Sequence, residues 1–400
     1  MLRLELLELL SNGENTGVEF KRDDLAPHDL AKALVAMANS RGGRVLLGVE
    51  DDASISGVNR ADVEEWVLTV ARDKVRPPLI PHLELLRHVE PGRDVLAITV
   101  DSGYAVHARW HHNSLTYFIR VGKQSREASP EELSRLQQHR GDLRAELRPV
   151  PGVPPAALDH RRLVEYFSRI RAQSVPESAA EWDRILLATE LAVEGVAGPV
   201  CTVAGVLLFA PEVGRLLPHS GIDAVAHQGT EKSYAARERA TLKGPMTALS
   251  SETGLVDRGV VEQALDFVAR NTRVTAALDG GRRIERPTYP AQVIREAVVN
   301  ALVHRDYLLT STDIELSIYD DRLEVISPGR LPNGVTTDSM QVGVRAARNQ
   351  LLKDTMRDYG YVEHMGLGVP RKIIRGMLEH NGKQPEFIES DERLTVRLWS

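Results

Sequence analysis

Near the amino end, Glu14, Glu19 and Lys21 stand in the string Glu14-Asn15-Thr16-Gly17-Val18-Glu19-Phe20-Lys21. If residues 18–21 form a strand, side chains alternate, so Glu19 and Lys21 share one face and Val18 and Phe20 the other. A carboxylate and an ammonium so placed suit metal-dependent phosphodiester cleavage. The carboxylate would hold the cation, and the lysine would orient water or stabilise charge on the phosphate. Glu14 would add a second metal ligand and Asp51, just past a buried strand, a third. Glu50 and Asp52 compete for that third role, because one residue of slip changes the face a side chain occupies. Hard oxygen ligands of this kind take Mg2+ or Mn2+. The plainer reading of Glu19 and Lys21 is a solvated ion pair on an edge strand.

Three groups of basic residues lie in the same stretch: Arg41 and Arg44, then Arg72, Lys74 and Arg76, then Arg120, Lys123 and Arg126. Such side chains grip phosphates without regard to base sequence; a charge run can equally be a solvated face. His107, Trp110, His111 and His112 fall between two predicted strands. A zinc site there would need helical spacing, so a loop is expected and no zinc.

A third constellation lies far along the chain. After Pro290, Glu296, Asn300 and His304 recur every four residues and form one polar stripe of a helix. Ile294, Ala297, Val298, Ala301 and Leu302 form its apolar side. Such a stripe normally faces water; the alternative is a nucleotide site.

The elements that must position these groups alternate helix and strand. A helix is predicted after Pro27, with strands at 44–49, 95–100 and 117–121 and a helix opening at 131. Four prolines within Pro149–Pro155 mark a linker. The middle segment is expected to hold an early helix, a strand pair around 203–209 and a helix around 261–270. Beyond it come the helix after Pro290, a hairpin turning at Asp320-Asp321, helical stretches at 345–358 and 369–380, and a strand at 394–398. This predicts an α+β chain with segments 1–148, 156–284 and 285–400.

Bulk properties restrict the function. With 50 basic and 56 acidic side chains the formal charge is −6, so any polyanion binding must come from local patches. Cys201 is the only cysteine, which excludes an intramolecular disulfide and a cysteine-based zinc site and fits a reducing cytoplasm. No apolar run is long enough for a membrane span. No phosphate-binding P-loop string is present.

Two resemblances add to this. Glu14 to Lys21, then Ala36-Met37-Ala38-Asn39-Ser40-Arg41-Gly42-Gly43, then Leu46 to Asp52, then Tyr117 to Leu133, resemble the Schlafen/AlbA-type domain. That resemblance implies nucleic-acid binding, and, by analogy with members that cut structured RNA, catalytic roles for Glu14, Glu19 and Asp51. Arg295 to Tyr307, Ile326 to Val335, Ala347 to Gln350 and Glu363 to Gly368 resemble the RecG-like C-terminal module, a divergent GHKL-type α/β sandwich. It implies ATP or another nucleotide, with Mg2+ on Asn300 and attacking water oriented by Glu296. His304, Gly329, Arg348, Asn349, Gly366 and Gly368 would complete the pocket. Ser327-Pro328-Gly329 stands where GHKL domains carry the Asp that reads adenine, which departs from the pattern.

Taken together, the expected protein is a nucleic-acid-binding regulator of transcription gated by a nucleotide. The alternative is a Mg2+- or Mn2+-dependent endoribonuclease of Schlafen type acting on tRNA-like RNA in stress or phage defence. A weak ATPase activity and a homo-oligomer are left open.

Overall fold

The computed structural model describes residues 3–102, 105–140, 143–279, 282–332, 335–344, 346–362, 367–390 and 392–400. The chain is α+β and divides into two compact units, residues 1–143 and 144–400. Among the described residues no helix is long and apolar enough to cross a membrane.

The first unit runs α1 (Arg3–Asn12), β1 (Val18–Lys21), α2 (Pro27–Ala38), β2 (Gly43–Leu47), α3 (Val63–Asp73), β3 (Val75–Arg76), β4 (His82–Glu90) and β5 (Arg93–Val100). There follow β6 (Ala108–His111), β7 (Ser114–Thr116), β8 (Phe118–Val121), β9 (Gln124–Glu127) and α4 (Pro130–Arg140). A sheet in the order β1-β2-β5-β4 forms the centre, with β1 and β2 parallel. Its pleat separates two cores. Val45, Leu47, Leu96, Ile98 and Val100 pack with α2 and α3. Leu46, Val95 and Ala97 pack with Leu6 of α1 and with Val18 and Phe20. Pro27 starts α2, where its fixed φ suits the first turn.

The second unit contains α5 (His160–Val164), α6 (Ala179–Ala188), β10 (Ala192–Val193), β11 (Val200–Cys201), α7 (Val203–Phe209), α8 (Val213–Leu216), β12 (Ile222–His227) and β13 (Ala236–Leu242). Next come β14 (Leu249–Ser251), β15 (Gly254–Asp257), α9 (Val260–Asn271), β16 (Val274–Asp279), β17 (Arg282–Pro287) and α10 (Ala291–His304). It ends with β18 (Ile314–Ile318), β19 (Arg322–Pro328), α11 (Thr337–Gln341), α12 (Gln350–Asp358), α13 (Arg375–Asn381), β20 (Glu386–Glu389) and β21 (Arg393–Trp399). The sheet order is β13-β12-β18-β19-β21-β20, with β12 and β18 parallel.

Three expectations change. The strand pair around 203–209 is instead α7: Thr202 caps it, its Oγ1 accepting from the Gly205 amide at 3.1 Å. A short apolar run fits a buried strand or a buried helix equally, and the cap decides. The helix expected from 345 begins only at Gln350, because Asn349 before it has non-helical backbone angles, φ −120° and ψ 84°. Residues 156–284 and 285–400 are not separate bodies. Ile222 to Ala226 of β12 pair with Ile314 to Ile318 of β18, and one core runs from Ala145 to Leu398.

Candidate functional site

In the first unit the strand β1 places Glu19 and Lys21 opposite Val18 and Phe20, as alternation requires. Glu19 is buried and fully engaged. Its Oε2 accepts from Arg120 Nη1 at 2.5 Å and from Ser125 Oγ at 3.0 Å, while Lys21 Nζ lies 2.9 Å from Oε1. Arg120 also donates from Nη2 to the Asn15 and Val18 carbonyls at 2.9 and 2.8 Å. Every face of that guanidinium serves the fold, so Arg120 is not a phosphate contact. The alternation Phe118, Arg120 in a closing strand was its visible signal: both point inward.

Glu14 Oε1 accepts from the Phe20 amide at 2.8 Å, closing the loop before β1. Asp51 is exposed in the turn beyond β2. Glu50 lies 3.7 Å from Arg22, and Asp52 Oδ1 accepts from the Ser54 amide and hydroxyl at 2.9 and 2.6 Å. Among the described residues no group of three or more His, Cys, Asp or Glu side chains could hold a metal ion. Glu14, Glu19 and Asp51 are thus not brought together as metal ligands.

The remaining basic candidates divide by partner. Arg44 meets Glu5 at 2.5 Å, Arg72 meets Asp73 at 2.8 Å, and Arg126 grips Glu132 at 2.6 Å. The hydrogen bonds from Arg126 hold the Glu132 carboxyl down at about 2. Arg76 Nη1 donates to the carbonyls of Arg72 and Val75 at 2.8 and 2.9 Å. Arg41 and Lys123 are exposed and Lys74 is half-buried. His111 lies on strand β6, with His112 in its hairpin turn, rather than on a loop; their registers follow from β6 pairing with both β3 and β7. His107 is buried just before that strand. Its amide donates to Asn39 Oδ1 at 2.8 Å and its ring nitrogen lies 2.8 Å from the Pro77 carbonyl. Burial pushes its pKa down, so it is a core histidine.

In the second unit the polar stripe of α10 does not face water. Val293, Ile294, Ala297, Val298 and Leu302 enter the core, which turns Glu296, Asn300 and His304 into a pocket over β19 and β21. The pocket encloses about 1150 Å³ including its mouth. Val325 and Val396 give it an apolar floor, and Arg330 and Lys353 bring cationic side chains to its wall. Asn300 Nδ2 donates to Glu296 Oε1 at 3.2 Å, and Lys372 Nζ lies 3.4 Å from Oε2. Gly368 backs directly onto this carboxylate; a Cβ there would overlap Glu296 Oε1. Gly368 opens a π-helical turn, Gly368–Ile374, a geometry that recurs at functional sites. His304 Nδ1 is buried with no hydrogen-bond partner. Burial, then Lys353 and Arg348, lower its pKa to about 4, so the ring is neutral.

Gly329 lines the pocket with φ of 109°, a conformation L side chains rarely adopt. A Cβ there would also come within 2.6 Å of Arg348 Nη1. Arg348 and Asn349, expected as nucleotide contacts, are instead buried supports. Arg348 Nη1 pairs with Asp306 Oδ2 at 3.0 Å and Nη2 donates to the Arg330 carbonyl. Asn349 Nδ2 donates to the Val303 and Arg305 carbonyls, both at 2.8 Å, tying down the end of α10. Gly366 lies outside the described residues. Arg330, Lys353 and Lys372 went unnoticed in the sequence because an isolated cation carries no spacing signal; Arg330 alone sat inside a recognised string.

A nucleotide fits the observed donors in part. The orphan Nδ1 of His304 and the cations Arg330 and Lys353 suit phosphates, and the apolar floor suits an aromatic ring. The adenine-reading carboxylate has no counterpart at Ser327, whose hydroxyl donates to the Ala301 carbonyl at 2.9 Å.

Comparisons with known proteins agree with this division. Residues 14–129 match the family model described as "Schlafen, AlbA_2". Residues 311–398 match the model described as "Putative ATP-dependent DNA helicase recG C-terminal", a stretch that begins after α10. No curated protein matches the chain. Among solved structures, the DIP2311 protein from Corynebacterium diphtheriae aligns over 100% of this chain and 81% of its own, at 20% identity and a TM-score of 0.48. The chain therefore joins a Schlafen/AlbA_2 region, residues 14–129, to a region of the RecG C-terminal family, residues 311–398.

Proposed function

We propose that the protein is a nucleic-acid-binding regulator whose second unit binds a nucleotide. The observation that carries this is the inward turn of Glu296, Asn300 and His304. A polar stripe on a helix packed against a sheet belongs in water unless a ligand uses it. Mg2+ would sit at Asn300, whose side chain lines the pocket beside Glu296. Glu296 already accepts from Asn300 and faces Lys372, which favours binding over hydrolysis, since a general base needs a free carboxylate. Calorimetry of the whole chain with ATP, ADP and GTP in Mg2+ tests the reading. Binding lost in Asn300→Ala supports it; no heat with any of the three overturns it.

The first unit would supply the nucleic-acid surface, through cations at its face and the AlbA_2-type region. Its expected signature is an affinity that falls steeply with salt and changes with nucleotide. Cleavage is the weaker alternative, because Arg120, Lys21 and Ser125 already occupy Glu19. Incubation with tRNA and Mn2+ separates the two: cutting that Glu19→Gln lacks would promote the nuclease.

A further inference from the structure

The first turn of α2 and the β6–β7 hairpin gather three imidazoles. His28 stacks on His111 with ring centroids 4.7 Å apart and planes at 24°, and His112 meets His111 at 3.9 Å. The hairpin turn places the third ring. His111 pairs with Ser114, leaving His112 and Asn113 as a two-residue loop with φ of 47° and 61°. Tight hairpins require positive φ at both positions, and glycine is absent here, so a side chain is kept at local cost.

Arg109 and Lys74 act electrostatically on His111, and Lys32 lies one turn beyond His28 on α2. The Arg109 guanidinium and the Lys32 ammonium lie 4.8 and 5.6 Å from the centre of the Phe118 ring. The Trp110 amide donates to the Lys74 carbonyl at 2.8 Å, which sets Lys74 beside β6. Asp29 stands 3.6 Å from His28 Nε2 on the same helix. Asp73 interacts electrostatically with Lys74 and is itself gripped by Arg72 at 2.8 Å, while Arg109 Nε is buried without an acceptor among the described residues. Among the described residues no group of three or more His, Cys, Asp or Glu side chains could hold a metal ion, these rings included.

The cluster therefore has donors and positive charge in excess of acceptors. Burial, and then His112, His28, Arg109 and Lys74, hold the His111 pKa below its usual value. A phosphate among them would supply both the acceptor and the opposing charge, so anion and proton would bind together.

We infer that this face is a proton-linked phosphate clamp for a nucleic-acid backbone. Lys74 and Arg109 supply its permanent charge, His28 and His112 add ring nitrogens, and His111 takes up a proton when phosphate arrives. The inference rests on the nucleic-acid reading above and adds the location and the pH response.

Fluorescence anisotropy of the whole chain with labelled single-stranded DNA and RNA tests it, at constant ionic strength near 0.1 M. Lowering the pH from about 7.5 to about 6 is expected to tighten binding about tenfold. His28→Gln/His111→Gln should lose that response. Lys74→Gln/Arg109→Gln should weaken binding at both pH values and flatten the salt slope by about two. Melting curves of each variant check folding, and an NMR titration of the His111 ring, whose pKa should rise on adding oligonucleotide, gives a readout without mutation. If binding persists but the His variant keeps the pH response and the Lys/Arg variant binds as the parent, the clamp is wrong while the nucleic-acid reading stands. If no oligonucleotide binds at either pH, both fall.

Discussion

Glu19 and Arg120 form a buried ion pair, Oε2 to Nη1 at 2.5 Å, with side chains 7% and 0% exposed. The pair ties β1 to β8 across a long stretch of chain, and Ser125 and Lys21 complete the carboxylate's shell. Removing one member leaves the other charged, buried and unmatched, at a cost of roughly 3–5 kcal/mol. Glu19→Ala should therefore lower the melting of the first unit sharply, and Glu19→Ala/Arg120→Ala should cost less than the sum of the two single changes. Urea unfolding of the three variants measures this; strict additivity would show the pair is not coupled.

Asn39 is a second anchor of the same unit. Its Nδ2 donates to the carbonyls of His107 and Phe118 at 2.7 and 3.0 Å, and its Oδ1 accepts from the His107 amide. Asn39→Ala would leave three buried backbone groups without partners, at a cost of about 2–4 kcal/mol. Amide exchange should then accelerate at β6 and β8 together; exchange unchanged there would contradict the assignment.

Gly368 borders the pocket proposed to hold the nucleotide. Gly368→Ala drives a methyl group into the Glu296 carboxylate, so α10 or the π-helical turn must shift. Nucleotide affinity should fall at least about tenfold, or 1.4 kcal/mol. Calorimetry on a variant with a native circular dichroism spectrum checks this, and parental affinity would place the ligand elsewhere.

His304 should make the second unit acid-sensitive. Its folded pKa of about 4 lies below the ordinary 6.5, so between these values the unfolded chain binds a proton that the folded chain refuses. Its contribution is complete above pH 6.5 and is lost as pH falls toward 4, at most about 3 kcal/mol. Unfolding measured across this window should show the slope in the parent and a shallower one in His304→Asn. Equal slopes would assign the acid limb to another group.

Legibility followed the range of the forces involved. The periodicity of α2, α9 and α10 and the alternation of β18 and β19 were readable because burial imposes them locally. That Glu296, Asn300 and His304 share one helix face was readable from helical spacing, whereas spacing alone sent that face to water and only the RecG-like resemblance suggested a pocket. What was not readable depends on partners distant in sequence. Nothing near Arg120 announces Glu19, and nothing near Arg348 announces Asp306, so both cations looked like ligand contacts. The run 203–209 was misjudged because an apolar heptapeptide satisfies two backbones, and only Thr202 chose between them.

The pairing of β12 with β18 has a practical corollary for anyone dissecting this protein. A polypeptide starting at 285 would retain the ligand-lining helix yet lose the neighbour of Ile314–Ile318, leaving a raw margin of unpaired amides and carbonyls. Such a fragment would seek that missing ribbon in another copy of itself and come out of solution, whereas one starting at 144 would carry its own.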